Sequence, residues 1–391
     1  MKLRISFENK YMQYFFWIPF FKAAYFSEWP LIDIFFDAWK VLSVLFIFVF
    51  YFKKKTFSKF SLVVCIYQIM TVINAVIHGN SISVKSIFLE VVPPLCVCLL
   101  SELCVNICFF RSAQVIQNIG IVCMVANLYT VLRYPGGMHN TLGVYYYWLL
   151  GSKNWQITYL FPFVVVTLLL MEKRQNWKIK DIMALLLAEI TCFFNTSTTS
   201  LICMTILIAL SFLIRDRFTN IINILTYSIV AFGMHFGVVF FRIQTLFSWL
   251  IEGILGKSVT FTSRTLLWDR MIALIIEKPF WGYGLLETTT RVRITGLWFA
   301  VHAHNQFLEV AFQGGLVLLA VWLIVLFLPV GNLYKYRNFA SSRILATSIF
   351  AILLLFLTEY YSHTIFVFEV FLLAFHTEKI QKSIEDNECE L

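Results

Sequence analysis

Charge is scarce in this sequence. Of 391 residues only 14% are Asp, Glu, Lys or Arg, against 60% hydrophobic and 18% aromatic. Soluble domains carry roughly 25% charged residues, so a water-soluble globule is excluded and an integral membrane protein is indicated. Strand-length segments of alternating polarity broken by Gly and Pro are also missing. Backbone groups in lipid must be hydrogen-bonded within a helix or a closed barrel, so the spans read as helices. Of nine cysteines, eight (Cys65, Cys96, Cys98, Cys104, Cys108, Cys123, Cys192 and Cys203) lie singly in apolar runs, and no CxxC pair occurs. They read as small buried hydrophobes, with no disulfide and no zinc site expected. The net charge is +9, yet no basic, aromatic-interleaved soluble domain exists to hold RNA or DNA. The N-terminal run MKLRISFENKYMQYFFWIPF lacks a small-residue cleavage site, so it reads as a retained first helix.

What the chain does have is a succession of apolar runs of spanning length. Taken in order they predict an all-α polytopic membrane protein with about twelve transmembrane helices. The spans are 11–27, 31–52, 60–78, 86–107, 113–132, 156–171, 181–195, 199–214, 219–241, 305–328, 343–358 and 364–378. Pro93–Pro94 is expected to kink the fourth. With the N-terminus inside, Lys53–Lys55 with Lys59, Arg111, Lys173–Arg174 with Lys178 and Lys180, Arg215, Arg217, Lys335, Arg337, Lys379 and Lys382 all fall in cytoplasmic segments. That is the positive-inside pattern, and it leaves both termini cytoplasmic. Residues 1–391 read as one polytopic domain with a short polar cytoplasmic tail, 379–391. Two outer segments are longer: 133–155 and a large extracytoplasmic loop, 242–304.

The large loop gathers cations that the rest of the chain avoids. Between Arg264 and Gly315 lie four arginines (Arg264, Arg270, Arg291, Arg293), His302 and His304, and a Gly282-Tyr283-Gly284 turn. An apolar chain has little reason to collect cationic groups in one place unless they meet an anion there. Residues 262–277 predict an interfacial helix capped by Thr262 or Ser263, with Trp268 at headgroup level. Its first turn presents Arg264. Pro279 ends it, and the two glycines permit close backbone approach. His302-Ala303-His304-Asn305 then opens the next membrane helix, whose free N–H groups favour anions. Glu309 would lie just inside the membrane, where an ionisable group is costly and usually has a job. Asn305, Glu309 and Trp268 are expected to position the site.

Arg264 followed by Trp268, then Pro279-Phe280-Trp281-Gly282-Tyr283-Gly284, then His304-Asn305-Gln306-Phe307-Leu308-Glu309 and Gly314-Gly315-Leu316, resembles the O-antigen ligase and Wzy-type polysaccharide polymerase family. Gly151-Ser152-Lys153-Asn154 and Asn195-Thr196-Ser197-Thr198-Thr199-Ser200 resemble further family stretches. Some ligases carry an arginine in the last stretch, where this chain has Thr198. The resemblance implies a GT-C-like, metal-independent glycosyltransferase in the cytoplasmic membrane. Its substrates would be undecaprenyl-diphosphate-linked glycan donor and acceptor, its surroundings membrane lipid, and its partner a chain-length regulator. No cofactor is expected. The residues fit independently. A diphosphate leaving group needs cations that tighten as its charge develops, arginine supplies paired donors, and histidine suits a base near neutral pH. The loop has no carboxylate cluster for a divalent ion.

The expected catalytic residues are therefore Arg264 and His304. Arg270, Arg291, Arg293 and Lys153 are the substrate-binding candidates, and Trp268, Gly282, Gly284, Asn305 and Glu309 the supporting ones. Arg133 and the i,i+4 pair Glu359 and His363 are weaker candidates for the same cavity. The expected activity is an inverting polymerase of capsular, exopolysaccharide or O-antigen repeat units. Two rivals remain: a ligase passing finished glycan to a terminal acceptor, and a polysaccharide transporter or lipid flippase. The last is disfavoured because spans with charged residues and related, broken halves are not evident.

Overall fold

The computed structural model describes residues 7–54, 57–79, 82–141, 145–214, 218–249, 253, 263–361 and 363–385. Lys257, Thr262, Arg215, Arg217 and the tail beyond Glu385 lie outside them. The apolar runs are helices throughout. In order they are α1 (Lys10–Trp17), α2 (Pro30–Lys54), α3 (Lys59–Ile77), α4 (Val84–Ile107), α5 (Phe109–Arg133), α6 (Ile157–Arg174), α7 (Ile179–Phe194), α8 (Thr198–Leu213) and α9 (Ile224–Val239). There follow α10 (Arg264–Glu277), α11 (Thr288–Thr295), α12 (Gln306–Phe327), α13 (Val330–Lys335), α14 (Ala340–Leu355), α15 (Ile365–Phe375) and α16 (Thr377–Glu385).

Among the described residues five helices are long and apolar enough to cross a membrane: α2, α3, α4, α5 and the stretch Gln306–Lys335. The helices α8, α9, α14 and α15 are apolar but shorter. Sixteen residues, the length of α14, reach about 24 Å, less than the roughly 30 Å of a hydrocarbon core. The first expected span is not one helix. Pro19 follows α1 and the chain turns through 3-10 segments at Ile18–Phe21 and Ala24–Glu28, because proline cannot continue the ladder. α4, by contrast, runs through Pro93 and Pro94 as one helix. Outer segment 133–155 holds a small antiparallel sheet, β1 (His139–Thr141), β2 (Tyr145–Trp148) and β3 (Gly151–Ser152), with His139 opposite Tyr147 and Tyr147 opposite Ser152. The aromatic run Tyr145–Trp148 favours strand.

Leu31, Ile34, Val49 and Phe52 of α2 are exposed, as are Ile69 and Ile73 of α3 and Ile229 of α9. Such faces suit lipid. The interior is aromatic, with Phe161, Trp322, Phe356, Phe366 and Phe368 fully buried. Charges do enter the helices, contrary to the sequence expectation: Glu102 of α4 is buried and accepts hydrogen bonds from Tyr51 and Ser61. Glu369 of α15 is buried too.

The connections sort to two ends. At one, Lys173 donates to the Ser383 carbonyl (2.6 Å) and Lys379 to Asn106 (2.5 Å), tying α16 to the ends of α6 and α4, and Thr219 donates to Asn338 (2.8 Å), joining the α8–α9 and α13–α14 connections. At the other, the 151–156 turn, the α7–α8 turn, the 278–305 segment and the α14–α15 turn are joined by hydrogen bonds.

α12 is broken at Gly315, whose backbone is left-handed at φ 64° and ψ −167°. A break in an apolar helix frees carbonyls that lipid cannot satisfy. The Pro279–Gly284 loop satisfies them. Tyr283 N–H donates to Phe312 O and Gly284 N–H to Gln313 O, both at 2.8 Å, while Leu316 N–H donates to Pro279 O at 2.7 Å. Asn74 of α3 adds a bond to Gln313 O at 2.8 Å. A Cβ at Gly315 would sit 2.2 Å from the Phe280 carbonyl, whereas one at Gly331 meets nothing within 4 Å. Gly315→Ala is therefore expected to destabilise the fold by about 2 kcal/mol or more, read as a lowered melting temperature in detergent, with Gly331→Ala unchanged.

Candidate active site

The start of α12 is stitched to the α14–α15 turn. Asn305 caps α12, its Oδ1 accepting from Phe307 and Leu308 N–H at 3.1 Å, and its Nδ2 donates to Leu357 O at 3.3 Å. Gln306 N–H donates to Phe356 O at 2.9 Å, and Tyr361 N–H to Gln306 Oε1 at 2.7 Å. Glu359 lies in this turn and is 7% exposed. A buried carboxylate must be paired and hydrogen-bonded, and Glu359 is. Arg264 donates to its Oε1 at 2.8 Å and to Thr358 O at 2.5 Å. Asn154 donates to Oε1 at 2.8 Å. His304 Nδ1 lies 3.2 Å and His302 Nε2 3.8 Å from Oε2.

Each partner is itself held. Arg264 is the first residue of α10, behind Ser263, whose left-handed backbone gives no side-chain cap. Asn154 accepts from Ser197, whose hydroxyl oxygen lies 2.8 Å from that of Ser200. The two sequence stretches 151–154 and 195–200 thus meet, and they meet at Glu359. His304 has φ 48°, a conformation side-chain-bearing residues avoid. Its N–H bonds to His302 Nδ1 at 3.2 Å, and the Asn305 cap follows directly.

Charge follows from this packing. Burial by itself would raise the Glu359 carboxyl, but the hydrogen bond from His304 and the charges of His304, Arg264 and His302 outweigh it and hold it down at about 2. Burial first, and then the charge of His304, push His302 down to about 3, so it is neutral near pH 7. A carboxylate only accepts, so in the neutral form of His304 the nitrogen facing Glu359 carries the proton and the lone pair lies on Nε2. The group therefore offers a guanidinium with donors to spare beside a basic imidazole nitrogen, both oriented by one anion.

The other expected residues fall in different places. Arg291 does not face solvent: it is 3% exposed, with Nη1 2.7 Å from Glu309 Oε2 and Nη2 2.6 Å from Oε1. Desolvation opposes its charge, but Glu309 outweighs that and raises its pKa above the ordinary value. Glu309 also accepts from Ala303 N–H at 2.6 Å and from Gln313 at 2.8 Å. Arg270 is exposed and donates to the Ile294 and Thr295 carbonyls at 3.1 Å, closing the C-terminus of α11. Arg293 and Lys153 are exposed, and neither side chain makes a hydrogen bond or ion pair among the described residues. Lys153 adjoins Asn154. Trp268 does not face lipid headgroups but is fully buried, donating to Ala303 O at 3.0 Å, because the apolar side of α10 packs inward. Gly282 and Gly284 dock the loop on α12. Arg133 lies over the Tyr134 ring at 5.4 Å, and His363 stacks on Trp155. Glu359 is the residue that sequence reasoning undervalued. Its only signal was an acid in a short outer turn, four residues before a histidine.

Removing one partner of a buried ion pair leaves the other uncompensated. Glu309→Gln is expected to cost about 3–5 kcal/mol, whereas the double change Arg291→Met with Glu309→Leu costs far less. Melting temperatures of the purified proteins check this, and an unaltered value for Glu309→Gln would refute the buried pairing.

Residues 182–323 match the family model described as O-antigen ligase. No curated protein matches the chain. The matched stretch contains Arg264, His304 and the Gly314–Gly315 break, while Asn154 and Glu359 reach the same group from outside it. Over residues 182–323 the chain is thus similar to the O-antigen ligase family, in keeping with the resemblance to O-antigen ligases and Wzy-type polysaccharide polymerases.

Proposed function

We propose that the protein joins undecaprenyl-diphosphate-linked oligosaccharide repeat units into a capsular, exopolysaccharide or O-antigen polymer at the outer face of the cytoplasmic membrane. The observation that carries this reading is the Glu359 bridge, which sets Arg264 at 2.8 Å and His304 at 3.2 Å on one carboxylate. The acceptor sugar's hydroxyl oxygen attacks the anomeric carbon of the donor from the face opposite the diphosphate. As that C–O bond forms, the bond to the diphosphate oxygen breaks and the leaving group takes the electron pair. The hydroxyl proton passes to His304 Nε2. The remaining donors of Arg264, with Lys153 or Arg293 in support, stabilise the charge that develops on the diphosphate. Configuration is inverted in the single displacement, and no metal is required.

Two further features support the reading. A largely apolar groove of about 310 Å³ runs between α9, α10 and α12, lined by Phe232, Phe236, Ile272, Ile276 and Phe307, with His235 and Asn305, the residue after His304, also in its walls. It suits a carrier-lipid tail. The basic turns collect at the end of the bundle away from Glu359, and by the positive-inside rule this supports the reading in which that end and both termini are cytoplasmic. A ligase that passes finished glycan to a terminal acceptor would use the same groups, and the O-antigen ligase match favours it equally. Loss of a polymerase leaves single repeat units, and loss of a ligase leaves long chains on the carrier.

The test uses purified protein in nanodiscs with lipid-linked repeat units extracted from cells lacking it, and follows the product ladder on a gel. Elongation is expected to survive chelator. Arg264→Ala and His304→Ala are expected to slow it by about 100-fold or more, and Glu359→Gln by about tenfold or more, since the base loses its orientation. Normal ladders from Arg264→Ala and His304→Ala would remove those residues from the chemistry. A pH dependence follows as well. Glu359, held near 2, and His302, held near 3, keep their charge states from pH 5 to 8. The stabilising share of Glu359 is present above its unfolded value near 4.5 and is lost only as pH falls through about 2. Any acid limb in the rate between pH 5 and 8 therefore belongs to another group, and His302→Gln is expected to leave its midpoint unmoved.

A further inference from the structure

A second charged cavity opens at the same end of the bundle. It holds about 340 Å³ and is lined by Lys22, Asp33, Asp37, Lys40, Lys85 and Tyr159, among others. Asp33, Asp37 and Lys40 are spaced i, i+4, i+7 and share one face of α2, while Leu31, Ile34 and Phe35 on the other faces are exposed. A membrane helix with a lipid-facing side therefore turns a row of charges inward, and such charges usually mark a substrate path. Lys22 is ion-paired with Asp33 and lies 3.4 Å from Asp37. Lys40 and Lys85 have no hydrogen bond or ion pair among the described residues. Lys40 lies ten residues into α2, about 15 Å along its axis, a depth where an unpaired cation is costly. Three lysines against two aspartates leave the lining one positive charge in excess.

Two elements that line the cavity also reach the Glu359 group or the turn that carries it. Leu89 lines it, and the next residue, Glu90, accepts from the Tyr360 hydroxyl at 2.9 Å. Tyr159 lines it, and the turn just before α6 carries Asn154, which holds Glu359. The volume is within the range of small-molecule sites. Its lining supplies carboxylate acceptors for sugar hydroxyls and ammonium donors for an anion. Resting on the glycosyltransferase reading, we infer that this cavity is a second substrate subsite. It takes an anionic group of the lipid-linked glycan, a sugar carboxylate or a carrier phosphate, on Lys40 and Lys85. Asp33 and Asp37 accept from the neighbouring hydroxyls.

The experiment compares the native protein with the double variant Lys40→Met, Lys85→Ala in nanodiscs. The variant removes a costly intrahelical cation and an exposed one, so its melting temperature is expected to hold. The KM for lipid-linked repeat units should rise about tenfold, with kcat changed by less than about twofold. Glucuronate, inorganic diphosphate and, as a neutral control, glucose are added as competitors. Loss in the variant of inhibition by glucuronate assigns a sugar carboxylate, and loss of inhibition by diphosphate assigns a carrier phosphate. Unchanged KM, or a fall in kcat alone, overturns the subsite. Retention of radiolabelled lipid-linked units on the nanodiscs is measured in parallel. If the native protein binds them without forming bonds, the catalytic reading fails while weaker retention by the variant still upholds the subsite. Equal retention overturns it.

Discussion

Two buried carboxylates hold this protein's extramembrane segment against its helices. Neither Glu309 nor Glu359 can be ionised in a packed interior without cations and donors around it, and each draws an arginine from the segment before α12. Glu309 takes Arg291, with both guanidinium nitrogens within 2.7 Å. Glu359 takes Arg264, the histidines and Asn154. The first pair closes on itself and is structural. The second leaves guanidinium donors and one imidazole nitrogen unspent, and that difference separates a closed brace from a group with donors and an acceptor left over.

The break in α12 makes the same economy of backbone visible. Gly315 interrupts the ladder, and the Pro279–Gly284 loop replaces the missing partners. The loop can come that close only because Gly282 and Gly315 carry no Cβ: one at Gly282 would lie 2.4 Å from Phe312 O. A cationic segment that sequence alone leaves as a floating loop is thereby locked to a membrane helix. Arg264, at one end of it, and His304, at the other, are held to the same turn.

Much of this was legible beforehand. Each apolar run beyond the first is helical, since lipid leaves the backbone no other partner, and the cation-rich stretch that includes Arg264 and His304 falls within the O-antigen ligase match. Other features were not legible. Arg291, Arg270 and Arg293 look alike in sequence, yet one is buried against Glu309, one closes a helix terminus and one is exposed. Trp268 has the composition of a headgroup residue and lies fully buried. The charges on α2 carry no signature until Lys22 and Lys85 are brought opposite them.

Apolar helices, the sign of charge at their junctions and the segment where cations gather follow from the sequence alone, because hydrophobicity and charge are local properties that each run carries with it. Tertiary structure decided which arginine is free, where the histidines point and that Glu359 joins them. Residues nearly a hundred positions apart, Arg264 and Glu359, become neighbours only when a buried carboxylate has to find its counter-charges, and no short stretch of sequence contains that requirement.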